Sequence, residues 1–273
     1  MPTVLWLSDL HLDAHDTVLG CDPVAACKRA VSHLITHYAD ADCCVVSGDI
    51  ANTGSVADYR AAKRVLDRLP MPWYPMVGNH DARAPLSDTL GFPGSATSDF
   101  VQYCVDLEPD PISTGHTSAS RTHTPAVRLL CLDTLIPGES AGELCSARLD
   151  WLARTLADSH DRNVVVFMHH PPVQLGIAPF DEIGLRNADE TMALFAQHPC
   201  VRHVCAGHVH RAFTGTHHGV PFATQRSVLF QAPPARPLWD FDTFRIADEP
   251  AGFGVIHIDA HGVQIDFNQL PLN

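Results

Sequence analysis

Short apolar runs and helix-period stretches alternate along the first part of the chain. Thr3 to Leu7 is an apolar run that predicts a buried strand. Asp22-Pro23 then reads as an N-cap with proline in the first turn, and Cys27, Ala30, Val31 and Leu34 form one helical stripe. A second strand is predicted from Cys43 to Asp49. Ser55 with Asp58 makes a capping box, and Val56, Tyr59, Ala62, Val65, Leu66 and Leu69 share one face of the helix that follows. The run Trp73 to Val77 is the third expected strand.

From about residue 82 to 125 the rhythm breaks into Ser, Thr, Pro and Gly, with only a weak helix expected around Ser98 to Val105. This stretch reads as an irregular insertion bordering an active site. Regularity returns with a strand at Val127 to Leu132, a helix at Ser146 to Leu156 and a strand at Val164 to Met168. Asn187 and Glu190 cap a further helix, and Val201 to Cys205 is the last strand of the series. From about residue 211 the pattern turns strand-rich, at Phe213 to His217, Phe253 to Ile258 and Val263 to Phe267. Strand–helix units followed by a run of strands predict an α/β body with two sheets. One catalytic domain over residues 1–273 is the expected organisation.

Composition narrows the partners. With 45% hydrophobic residues the chain has material for a large core. A formal net charge of −13 argues against a nucleic-acid polymer as partner, since such proteins carry a basic footprint. A small anionic substrate stays compatible if a metal supplies local positive charge. The start is already strand-like, without a basic n-region, so no ordinary secretory signal is expected. No apolar run approaches the ~20 residues of a membrane span. Nine cysteines without a C-x-x-C pair suggest a reducing cytoplasm.

The predicted strands end in polar residues of one kind. The first ends in Asp9-x-His11, whose side chains would project to one side of an extended chain. The second ends in Gly48-Asp49 and the third in Gly78-Asn79-His80-Asp81. Later strands end in His169-His170 and in Gly207-His208-Val209-His210. In open α/β sheets, ligands bind beyond the carboxyl ends of strands. Singly, each residue is more simply a turn or a hydrogen-bonded histidine. Together, Asp9, His11, Asp49, Asn79, His169, His208 and His210 are seven oxygen and nitrogen donors. They are too many for one four-coordinate ion and suit two divalent ions sharing a carboxylate. The glycines before Asp49, Asn79 and His208 fit sharp turns at a crowded site.

The ordered set D-x-H, G-D, G-N-H-D, H and G-H-x-H resembles the calcineurin-like metallophosphoesterase superfamily over residues 9–210. The stretches Phe167 to Gly176, Phe180 to Glu190 and Phe241 to Asp259 are similar to its class III cyclic-nucleotide phosphodiesterases and their bacterial glycerophosphodiesterase relatives. The resemblance implies a four-layer α/β/β/α sandwich of two mixed sheets flanked by helices. It implies one ion on Asp9, His11, Asp49 and His210, and a second on Asp49, Asn79, His169 and His208. His169, which directly follows its strand, is taken over His170. His80 would face the phosphoryl group, with Asp81 behind it as orienting carboxylate. The implied reaction is attack of a metal-bound hydroxide on a small phosphodiester, 3′,5′-cyclic nucleotides such as cAMP foremost, without a covalent enzyme intermediate. Glycerophosphodiesters, or promiscuous diester and monoester hydrolysis, are the alternatives. Fe, Mn, Zn or Co would serve as the metals, and a homo-oligomer, dimer or larger, is implied.

Two rivals carry less. Gly138 to Gly142 matches G-x-S-x-G, but Pro137 precedes it and the strand ends near Asp133, so the tight strand-to-serine turn is missing and a loop is expected. A non-enzymatic scaffold of the same fold would have lost ligands, whereas every ligand position here holds a competent residue. Candidate pocket aromatics and histidines are His116, His123, Phe180, Trp239 and Phe241.

Overall fold

The computed structural model describes residues 1–94, 99–107 and 126–271. The first half carries β1 (Thr3–Leu7), α1 (Pro23–His37), β2 (Cys43–Val46), α2 (Val56–Leu66), β3 (Trp73–Pro75), α3 (Arg83–Thr89), β4 (Tyr103–Leu107) and β5 (Val127–Cys131). Next come α4 (Ser146–Ala157), β6 (Asn163–Met168), α5 (Ala178–Glu182), α6 (Ala188–Ala196) and β7 (Val201–Ala206). The chain closes with β8 (Phe213–His217), β9 (Val220–Thr224), β10 (Gly252–Ile258) and β11 (Val263–Gln269).

Two mixed sheets result, one ordered β11-β10-β1-β2-β3 and the other β4-β5-β6-β7-β9-β8. In the first, β1, β2 and β3 run parallel while β10 pairs antiparallel with β1, Thr3 opposite His257. In the second, β5, β6, β7 and β9 run parallel between antiparallel β4 and β8. Side chains alternate across each strand, which separates the layers. Val165 and Phe167 of β6 enter the core between the sheets, where Phe167 meets Trp6 edge-on at 6.0 Å. Val164, Val166 and Met168 face the other way, onto Leu152 and Leu156 of α4 and Met192 and Phe195 of α6. On the far side of the first sheet, α1 and α2 bury Val31, Leu34, Tyr59 and Leu66. The architecture is the expected α/β/β/α sandwich.

Three local expectations differ. The described part of the 82–125 stretch holds a short helix and a strand between irregular segments. Pro85 sits in the first turn of α3, so a seven-residue helix hides behind a residue that reads as a breaker. Residues 103–107 form β4 instead of the expected helix. Tyr103 and Val105 are buried while Asp106 is exposed, a period of two that five residues barely reveal. Strand β9, which contains Pro221, is not among the expected strands. Its pairing with β7 begins only at Phe222, so the proline sits where one neighbour alone is bonded. No helix among the described residues is long and apolar enough to cross a membrane.

Candidate metal centre

The parallel β1 and β2 end at Leu7 and Val46, but their chains stay bonded beyond the strands. Asp9 N donates to Gly48 O at 3.1 Å, His11 N to Asp49 O at 2.8 Å and Leu12 N to Ile50 O at 2.8 Å. Asp9 and His11 are not extended, as their spacing suggested. Both are left-handed, with φ of 55° and 44°. Seven non-glycine residues have positive φ among the described residues, and five of them are Asp9, His11, Asp49, His208 and His210. Such conformations are uncommon outside glycine, tolerated best by Asn, Asp and His, and gather at functional sites. Here they turn successive side chains inward from two loops that run side by side.

All seven expected donors meet. Asp9, His11 and His210 offer nitrogen and oxygen atoms within 4.8 Å of one another, and so do Asp9, Asp49 and His169. His11 Nε2 lies 3.1 Å from His210 Nε2, and His210 Nε2 lies 3.5 Å from Asp9 Oδ1. Asn79 Oδ1 sits 3.1 Å from His169 Nε2 and 3.0 Å from His208 Nδ1. Between these groups, Asp49 Oδ2 is 3.7 Å from His11 Nε2 and 3.4 Å from His169 Nε2. The two sheets are tied directly at the site, because His208 N donates to both Asp9 oxygens.

Backbone carbonyls aim the rings. Ser47 O faces His169 Nδ1 at 2.9 Å, Phe230 O faces His210 Nδ1 at 3.0 Å, and Asn52 O faces His80 Nδ1 at 2.9 Å. A carbonyl can only accept, so the proton is on Nδ1 and Nε2 is the nitrogen each ring turns inward. His170 is different. Its ring lies 2.7 Å from Thr134 Oγ1 and 3.0 Å from Ser140 O, so both nitrogens are engaged within the protein. The doublet is thereby separated: His169 faces Asp49 and Asn79, while His170 packs behind His208 at 4.6 Å between ring centres.

The glycines serve the side chains of the cluster. A Cβ on Gly48 would stand 2.5 Å from His169 Nδ1, and one on Gly78 would stand 2.5 Å from Asp49 N and 2.7 Å from His169 Cε1. Asp81 departs from its expected place behind His80. Its carboxylate accepts from Ile50 N, Ala51 N and Gly78 N at 3.1, 2.9 and 2.9 Å, and from Tyr59 Oη at 3.0 Å. It therefore binds the loop carrying Asp49 to the turn carrying Asn79. The partner of the His80 ring is Asn52, which had carried no signal, since its contribution is a carbonyl.

The electrostatics suit cations. Burial raises the carboxyls of Asp9 and Asp49, but neighbouring imidazoles, His210 and His169 first, outweigh it and hold both below the ordinary range. Burial pushes His11 down to about 3 and His208 well below its usual value. His169 is lowered by burial but raised more by Asp49, to about 9. Among the described residues no Lys or Arg pairs with Asp9 or Asp49. Two buried carboxylates without a basic partner, facing the ring nitrogens His11 Nε2, His169 Nε2 and His210 Nε2 across a few ångströms, fit divalent ions.

A cavity of about 430 Å³ opens above the cluster, lined among others by His80, Asn52, Phe180, Phe230, Phe241 and Leu19. Phe180 and Phe241 thus border the site, and Trp239 packs on both at 5.7 and 6.2 Å. His116 and His123 lie outside the described residues. Residues 138–142 form the expected loop, where Ser140 contributes its carbonyl to His170.

A family model described as calcineurin-like phosphoesterase matches residues 2–212. The chain is 32% identical over 240 residues to the glycerophosphodiester phosphodiesterase GpdQ of Enterobacter lignolyticus, across 86% of this chain and 81% of that protein. It is 31% identical over 209 residues to the 3′,5′-cyclic adenosine monophosphate phosphodiesterase CpdA of Pseudomonas aeruginosa, across 76% and 69%. Among solved structures, a dimetal phosphatase from Danio rerio superposes with a TM-score of 0.65 over 99% of each chain at 16% identity, a likeness of fold. Fold, ordered donor blocks and matching family model agree: the chain belongs to the calcineurin-like phosphoesterase family.

Proposed function

We propose that this chain hydrolyses small phosphodiesters, 3′,5′-cyclic nucleotides such as cAMP foremost, with two divalent ions. The observation that carries the reading is Asp49, whose Oδ2 lies between His11 and His169 and so links two donor groups. Asp9, His11, Asp49 and His210 would hold one ion, and Asp49, Asn79, His169 and His208 the other. When bound, such ions neutralise phosphoryl oxygens and provide a nucleophile from water at neutral pH. The mixed nitrogen and oxygen donors, without thiolate, suit Fe, Mn, Zn or Co.

The chain's own groups do the rest. His80 is exposed to the cavity, and Asn52 O fixes its Nδ1–H, so Nε2 is the atom that can carry a proton toward the phosphoryl or leaving oxygen. Its backbone N donates to Asp49 Oδ1 at 2.9 Å, coupling the position of this ring to the shared carboxylate. Phe180, Phe230 and Phe241 narrow the approach and exclude water around the ester. Glycerophosphodiester hydrolysis is the second reading, favoured by the longer match to GpdQ.

The test is protein reconstituted with Mn²⁺ and offered cAMP, glycerophosphocholine, bis-p-nitrophenyl phosphate and p-nitrophenyl phosphate. Cleavage of a diester that Asp49→Ala abolishes is expected, and the preferred diester decides between the readings. Turnover of the monoester alone would refute the substrate class.

A further inference from the structure

One edge of the cavity sets sequence against backbone. Val18 and Cys21 exchange both main-chain hydrogen bonds at 2.9 Å and close a two-residue turn. Its central residues, Leu19 and Gly20, have φ of 50° and 83°. Two successive positive φ angles make a type I′ turn, whose first central position favours Asn, Asp or Gly. Leucine there brings its Cβ against its own carbonyl, and its side chain is 57% exposed. Local turn chemistry and core packing therefore both argue against leucine at this position. Broken local rules of this kind collect where a ligand uses the residue.

Leu19 lines the cavity above the donor cluster, and so does Phe241, 52% exposed. Of the six large apolar side chains most exposed among the described residues, these two are the ones that line it. Phe241 meets Phe180 edge-on at 5.9 Å, and Phe180 meets His208 at 5.6 Å, so the apolar wall runs down to the cluster.

We propose that Leu19 and Phe241 determine specificity by holding a flat apolar ester group, a nucleobase, at the mouth of the cavity. The proposal rests on the phosphodiesterase reading above. A flat group suits the walls better than a quaternary ammonium. Phe180, Trp239 and Phe241 meet pairwise at 77–88°, so they turn edges and faces to one another instead of presenting three faces to a shared centre. Asn52 and Ser140 in the same lining supply polar groups for the edge of a base.

Leu19→Asn is the informative variant, because asparagine is favoured in this turn and the fold is not at risk. Phe241→Ala is the second, and Leu238→Ala, exposed but outside the cavity, is the control. Two ratios are measured on Mn²⁺-loaded protein: kcat/KM for cAMP over glycerophosphoethanolamine, and, by calorimetry, affinity for 5′-AMP over glycerol 3-phosphate. Both ratios are expected to fall about tenfold in Leu19→Asn and Phe241→Ala, and to hold in Leu238→Ala. Ratios that stay within about twofold in the first two variants, or fall equally in the control, overturn the proposal. If diesters are cleaved but the ratios do not move, hydrolysis stands and the nucleobase site falls. If no diester is cleaved, the affinity ratio decides alone: its loss in Leu19→Asn upholds the site while the hydrolytic reading fails, and its persistence overturns the site.

Discussion

Replacing Asp81 separates bracing of the metal loops from orientation of His80. In the wild type its carboxylate is buried and accepts three backbone N–H groups and the Tyr59 hydroxyl. Asparagine keeps the shape but must turn its NH₂ toward one pair of donors. The milder arrangement leaves the oxygen with Ile50 N and Gly78 N. Tyr59 Oη can then redirect its hydrogen to Ala82 O, already 3.4 Å away, so Ala51 N is the one donor left unmet. One orphaned buried donor and the loss of ionic assistance to the others cost about 2 kcal/mol. Alanine abandons the three backbone donors at once, with Tyr59 again turned to Ala82 O, which by the same figures costs about 4–5 kcal/mol. Urea denaturation of chelated protein measures both without contribution from ions. Metal affinity follows, because the brace joins the loops that carry Asp49 and Asn79. Asp81→Asn should weaken Mn²⁺ binding by about tenfold or more. A double-mutant cycle with His80→Ala should be additive within about 0.5 kcal/mol. Equal losses for Asn and Ala, or coupling to His80 above about 1 kcal/mol, would refute the bracing role.

Three further outcomes are expected. Gly78→Ala places a Cβ 2.5 Å from Asp49 N, and a backbone atom cannot yield, so about 2–3 kcal/mol and much of the bound Mn²⁺ should be lost; Gly262→Ala, with open space around it, is the neutral comparison by urea midpoint. Chelation should lower the melting temperature, since an ion at a hundredfold its Kd contributes about 2.7 kcal/mol, or roughly 5 °C for a chain of this size; an unchanged calorimetric midpoint with metal bound would contradict the site. His203, half-buried on β7, is pushed by burial down to about 4. The unfolded chain takes its proton near 6.5 and the folded one does not, so stability falls by at most about 3 kcal/mol as pH drops from about 6.5 to 4. His203→Phe should flatten that acid limb in pH-dependent denaturation.

What could be read from residue order was the alternation of elements and the polar strand ends. Asp9, Asp49, Asn79, His169 and His208 each announce themselves as Asp, Asn or His at the end of an apolar run, directly or after one or two Ser or Gly residues. Their convergence was legible because parallel strands deliver their carboxyl ends to one edge. The means of convergence was not. Aspartate and histidine tolerate left-handed backbone, yet nothing in D-x-H says that both residues adopt it. Asn52, Ser47 and Phe230 act through carbonyls, which every residue has. Asp81 was placed in the right neighbourhood but given the wrong partner, since adjacency to His80 suggested a contact that the backbone donors of Ile50 and Ala51 claimed first. Strands β4 and β9 escaped because five residues, or a proline, blur a period of two.

The first strand lies between β2 and β10, with Thr3 opposite His257, and His11 meets His210 across 199 residues. On the ribosome, at about 5–20 residues per second, Asp9 and His11 wait roughly 10–40 s before their partners emerge. Until then a nascent chain displays acidic and imidazole groups that no half of the protein can organise. The centre can assemble only after both sheets have docked, so metal capture would report that the chain has finished folding.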